Sequence, residues 1–222
     1  MRNKLITTTL LAGLTLLLSS CAGYRSGIGS LPYFEQNPKL AIENIEGKPD
    51  FTTLSTAELD IRILLNNTLQ TSDTQVMLFA VPTSIDLSSR YLGNQSSGAM
   101  LYLGITPKTK PVYFQPEKMV LTISGVPHAA TKSALGFSVD PDNKNLTEKI
   151  EIEELPTQGR RYELNVMNRY YFFRIQFGIP TPSPKQDISL EVRDAIKETK
   201  SDTPLSIPKI RFQKIFWKSG YT

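Results

Sequence analysis

The sequence predicts an all-β chain: an antiparallel β-sandwich, immunoglobulin-like or related, with at most one or two short helices. Three observations predict it. Short segments with apolar residues at every second position recur along the chain. Turn signals such as Asn66-Asn67, Gly93-Asn94, Gly159 and the Pro180 to Pro184 cluster separate them. Fifteen prolines oppose long helices, and no long 3.6-residue period supplies the crossovers that a parallel sheet needs.

Segment 58–65 places Leu59, Ile61, Ile63 and Leu65 on one face, the period of a half-buried strand. Segment 75–81 is an apolar run stopped by Pro82, and 84–87 and 99–105 follow. Segment 118–124 turns Met119, Leu121 and Ile123 inward, and Gly125 to His128 reads as the turn after it. Segment 149–155 sets Ile150 and Ile152 against Glu151 and Glu153. Segments 162–167 and 170–177 are rich in aromatic and β-branched residues. Segments 186–193 and 209–217 complete the set, and the apolar end of the chain is expected to pair into the sheet. The helix candidates are 38–45 and 194–200, with 191–200 readable instead as a strand running into a polar loop. One sandwich over 36–222 is expected, with two small β domains divided near 140–146 as the alternative. No fixed-period repeat occurs, which argues against solenoids and propellers.

The start of the chain is of a different kind. Arg2 and Lys4 precede an uncharged apolar run of about 14 residues, 5–18, and Ser19, Ser20 and Cys21 close it. That order is the layout of an export signal. A helix of that length spans roughly 21 Å, short of a bilayer core of about 30 Å. The segment Leu18-Ser19-Ser20-Cys21 resembles the lipobox of bacterial lipoproteins. The resemblance covers these four residues and their flanks; the remainder of the chain matches no family by its motifs. It implies that 1–20 is cleaved and that the Cys21 thiol carries a diacylglyceryl group, with an acylated amine beside it. Two or three acyl chains suffice for stable membrane anchoring. Ala22 stands where this family commonly places Asp to retain inner-membrane lipoproteins, so the resemblance implies the outer membrane, facing the periplasm. Residues 21–35 open with the Gly-rich AGYRSGIGS and read as a flexible tether.

Cys21 is the only cysteine. Once acylated it leaves no thiol for a disulfide, a nucleophile or a thiolate metal site. The formal charge is +4, of which Arg2 and Lys4 supply two, so about +2 remains on the mature chain. No basic block points to nucleic acid. The single histidine, His128, reads as a surface residue, and the usual zinc patterns cannot be built from it. No Gly-x-Ser-x-Gly elbow, phosphate loop or dinucleotide fingerprint occurs. Glu151 and Glu153 read as the solvated face of a strand and not as a glycosidase pair. A calcium loop beginning at Asp140 fails at Lys144 and Asn145, where a ligand and a glycine are required. No cofactor is expected.

One feature points outward. Aromatic and basic residues cluster late in the chain, at Arg160, Arg161, Tyr170, Tyr171, Arg174 and Trp217. Core packing accounts for much of this, and the remainder is a candidate binding surface, because Tyr, Trp and Arg favour interaction hot spots. The expected function is that of a non-catalytic module, lipid-anchored in the envelope, that binds or supports another envelope component, a protein in the first instance. The rival readings are a lipid- or glycan-binding carrier with an apolar cavity between its sheets, and an unrecognised hydrolase.

Overall fold

The computed structural model describes residues 22–77, 81–93, 98–139, 151 and 153–221. The strands are β1 (Ala22–Phe34), β2 (Asn44–Glu46), β3 (Thr52–Ser55), β4 (Leu59–Leu65), β5 (Leu69–Met77) and β6 (Val81–Asp86). They continue as β7 (Arg90–Tyr91), β8 (Ala99–Pro107), β9 (Val112–Phe114), β10 (Val120–Ile123), β11 (Val126–Val139) and β12 (Leu155–Pro156). The last are β13 (Tyr162–Leu164), β14 (Tyr170–Phe177), β15 (Ile188–Glu191), β16 (Ile196–Glu198) and β17 (Ile210–Tyr221). Single 3₁₀ turns at Pro116–Lys118 and Arg193–Ala195 are the helical elements among the described residues. The chain is therefore all-β, with curled antiparallel sheets of the sandwich type, as its alternating pattern predicts.

The main hydrogen-bonded path runs β3-β4-β8-β14-β11-β10-β15-β17-β1-β5-β6, and a small sheet has the order β13-β9-β16. Among the described residues, the strand pairings are antiparallel except the short one between β2 and β17. The path folds over at β11. Val126 to Ala129 pair with β10, Ala130 to Val139 pair with β14, and bulges fall near Ala130 and Leu135. A bulge bends a strand and lets it pass from one sheet to the next. Strands from before and after residue 140 alternate in the path, so a division there would not separate two sets of strands.

The core lies between the curled sheets. β4 contributes Leu59, Ile61, Ile63 and Leu65; β8 contributes Leu101, Leu103 and Ile105; β14 contributes Tyr171, Phe173, Ile175 and Phe177. Against them stand Leu121, Ile188, Leu190, Ile210, Phe212 and Phe34. The small sheet adds Phe114, whose ring meets Phe173 edge-on at 4.9 Å. Each such side chain stabilises by about 1.5–3 kcal/mol when fully buried.

Several expectations are corrected. The Gly-rich stretch in 21–35 is not a tether: Ala22–Phe34 is a strand held between β17 and β5. Among the described residues the globular unit accordingly already includes Ala22 and does not start near residue 36. The glycines serve close packing here. A Cβ on Gly27 would overlap the Leu69 carbonyl and the Trp217 indole, one on Gly29 would overlap Pro49, and one on Gly23 would overlap the Tyr221 ring. Residues 38–45 form no helix; β2 begins within them. In 194–200 a 3₁₀ turn leads into β16. The turn after β10 is Ser124-Gly125, both with positive φ (50° and 84°), the geometry of a two-residue hairpin. β11 therefore begins at Val126 and includes Pro127 and His128, and His128 pairs with Leu121. Among the described residues of 149–155, Leu155 lies in β12, while Glu151, Glu153 and Glu154 lie outside any strand. Ile150, Ile152 and most of the calcium-like 140–151 lie outside the described residues.

The end of β1 nearest Ala22 is clamped by charge. The Asp73 carboxylate accepts a hydrogen bond from the Tyr221 hydroxyl at 2.6 Å and from Arg25 Nε at 3.0 Å, which ties β5, β17 and β1 together. The Tyr221 hydrogen bond is the largest cause holding the Asp73 carboxyl below its ordinary value, and Arg25 adds to it.

Gly27→Ala separates a strand from a tether. In a strand packed as described, the added methyl forces the Leu69 backbone or Trp217 aside and lowers stability by about 1–3 kcal/mol. Urea denaturation should show this, with Ser26→Ala, which loses only its hydroxyl contact to Ser72, less affected; an unchanged midpoint for Gly27→Ala would mean that the close packing does not exist.

Candidate binding face

Alternation along β14 turns Tyr171, Phe173, Ile175 and Phe177 into the core and leaves Tyr170, Phe172 and Arg174 on the outer face. The neighbouring strands complete that face. Phe172 pairs across to Gly104, which pairs on to Arg62, and on the other side Phe172 pairs with Phe137. Gly104 has no side chain to occupy the middle of the row, and the Tyr170 ring fills the space where its Cβ would stand. Gly136, at the β11 bulge, likewise lies beneath Phe172.

Phe172 is thereby the centre of an aromatic cluster. It stacks on Phe137 (4.7 Å, 20°) and on Tyr102 (6.0 Å, 13°), and Phe51 meets it edge-on at 6.0 Å. Tyr170 packs against Phe137 at 5.9 Å. All five rings are half-buried. The exposed Arg62 guanidinium lies over both Phe51 (5.5 Å) and Tyr170 (5.6 Å). Burial raises the Tyr170 phenol above its ordinary value, and the Arg62 charge works against that shift.

Beside this face the chain is strapped down by ions. Glu151 Oε2 accepts from the Leu135 amide (2.7 Å) and the Tyr162 hydroxyl (3.1 Å), and Oε1 pairs with Arg160. Arg174 donates to the Glu151 carbonyl at 3.0 Å and pairs with Glu154 at 2.8 Å. Burial is the main cause that pushes the Tyr162 phenol up to about 12; the Glu151 carboxylate adds to it, while Ser133 and Arg160 act in the other direction. Glu151 thus fixes the segment leading to β12 onto the sheet. Its carboxylate is spent on three donors, and Glu153 is exposed elsewhere on the segment.

The sequence-predicted candidates do not form one surface. Tyr170 lies on the aromatic face, and Arg160 and Arg174 converge on the Glu151 strap. Arg161 lies 3.6 Å over the Tyr113 ring and pairs with Glu163. Tyr171 is only 3% exposed and Trp217 only 2%, so neither is a surface residue. Tyr171 is on the inward alternation of β14, and Trp217 is on the other sheet, where its indole lies against Gly27. Sequence reasoning missed Phe51, Arg62, Tyr102 and Phe137. Cys21 lies outside the described residues. Among the described residues no group of three or more His, Cys, Asp or Glu is gathered as a metal site, and no helix is long and apolar enough to cross a membrane.

No family model, no curated protein and no solved structure matches the chain.

Glu151→Gln tests the strap. It weakens charge-assisted hydrogen bonds, each worth about 1.5–3 kcal/mol, and leaves Arg160 without its counter-ion. Hydrogen exchange at the Leu135 amide should accelerate in this variant, and an unchanged rate would show that the segment is held by other contacts.

Proposed function

We propose that this chain is a lipid-anchored, non-catalytic binding module of the bacterial envelope. Cys21 carries the lipid, the domain faces the periplasm from the outer membrane, and the aromatic face receives another envelope protein. The observation that carries the binding role is the row of Tyr170, Phe172, Phe137, Tyr102 and Phe51 on the outward side of a sheet, with Arg62 over it. Rigid aromatic rings beside an exposed arginine are the composition of a protein-binding hot spot. The anchor rests on the lipobox resemblance at Leu18 to Cys21.

One feature speaks against a carrier. A carrier needs an apolar cavity, whereas the clefts of about 660 Å³ around Arg211 and about 530 Å³ around Arg193 are surface features lined largely by charged and polar side chains.

Photo-crosslinking in intact cells tests the reading. A photoreactive residue in place of Tyr170 should yield an adduct with one envelope protein, reduced about tenfold or more by Arg62→Glu, the equivalent of losing about 1.4 kcal/mol. Adducts indifferent to Arg62→Glu, or adducts to glycan alone, contradict the proposal. Cys21→Ser should abolish lipid labelling and membrane fractionation; retention of both would refute the anchor.

A further inference from the structure

β1 and β17 pair residue against residue, and directly opposed residues share a face of the sheet. One such face carries Phe34, Ile210 and Phe212 into the core. It then runs on towards Ala22 through Ile28, Phe216, Lys218 and Tyr24, and there it loses its cover. Tyr24 and Phe216 are each 47% exposed, and Lys214 and Lys218 are exposed beside them. The lysines lie along the rings, with Lys214 Nζ 4.7 Å over Phe216 and Lys218 Nζ 4.7 Å over Tyr24. Lys185 joins Phe216 and Lys218 around a cleft of about 450 Å³, and no carboxylate lines that cleft. Glu43 and Glu46 border the patch on the β2 side.

We propose that this face lies flat against an anionic lipid surface; the proposal rests on acylation of Cys21. Cys21 is joined directly to Ala22, so Tyr24 is within about 11 Å of chain from it. With β1 in place of a tether, the acyl chains hold the domain at the bilayer within about a Debye length or two of its charge. The exposed face then decides which way the domain lies. Aromatic rings settle at headgroup level, and lysine stems follow the apolar surface while their ammonium groups reach the phosphates. Tyr24 with Lys218 and Phe216 with Lys214 provide two such pairs along one strand pair. The aromatic face around Phe172 belongs to the other part of the sheet path, so lipid contact and protein contact occupy different surfaces.

The test uses the lipidated full protein reconstituted in vesicles of phosphatidylcholine and phosphatidylglycerol. Phe216→Cys supplies one new thiol for an environment-sensitive fluorophore, because lipid blocks Cys21. Asn44→Cys, on the β2 partner of Phe216, leaves the aromatic residues in place, and Val166→Cys is the control at an exposed loop position. Labels at 216 and 44 should be quenched by spin-labelled lipid and the label at 166 should not. For the label at 44, quenching should fall to the control level in Lys214→Glu with Lys218→Glu. If the protein floats with the vesicles but labels at 216 and 44 are quenched no more than at 166, this proposal fails and the anchor stands. If it does not float and Cys21 has an unmodified mass, the anchor reading fails and this proposal with it. Shielding that requires an added envelope protein in place of lipid also overturns it.

Discussion

Twelve consecutive residue pairs join β1 to β17, from Gly23 with Tyr221 to Phe34 with Ile210. The sheet path depends on that seam. β17 reaches β15 on one side and β1 on the other, and β1 alone connects β17 to β5, and through β5 to β6 and β7. The seam is close-packed because glycine and large aromatic residues alternate across it: Gly27 faces Trp217 and Gly23 faces Tyr221. Non-local pairing between the two ends of the described chain delays its reward in folding, since the loop it closes spans nearly the whole domain. Once formed, it makes the first strand as integral to the fold as the last.

That arrangement changes what an anchor at Cys21 does. A flexible tether would let the domain rotate freely over the membrane. A strand in place from Ala22 onward would transmit the position of a lipid on Cys21 to the sheet. The surfaces divide accordingly. The uncovered end of the β1–β17 face carries lysine and aromatic side chains close in sequence to Cys21, the proposed lipid site, and the Phe172 cluster stands on the outer side of the β4-β8-β14-β11 strands. The Glu151 strap borders that cluster and holds Arg160 and Arg174, so both cations have partners within the fold.

The legible parts of the fold were those with strict alternation. In β4 the four apolar residues at 59, 61, 63 and 65 are all buried, and β14 spans the expected 170–177. β1 was illegible because Gly27 and Gly29 look like linker residues until Trp217 and Pro49 are seen to occupy the space their side chains would take. β11 was not expected as a strand: Pro127 and His128 at its start resemble a turn, although the positive φ falls at Ser124 and Gly125. The site was half legible. Tyr170 follows from alternation in β14, but Phe51, Arg62, Tyr102 and Phe137 come from separate segments and meet only through strand register. Tyr102 did carry a signal, since it points opposite to Leu101 and Leu103. Tyr171 and Trp217 were credited to the surface by residue type, and their side of the strand placed them inside.

The central claim is that the chain after Cys21 is a structural strand and not a tether. Hydrogen exchange over residues 22–34 in the lipidated full-length protein tests it most directly. The seam predicts that amides from Gly27 to Phe34 are protected to a degree comparable with β14, with exchange quickening only toward Ala22. Exchange of the whole stretch at the rate of an unstructured coil would contradict the account.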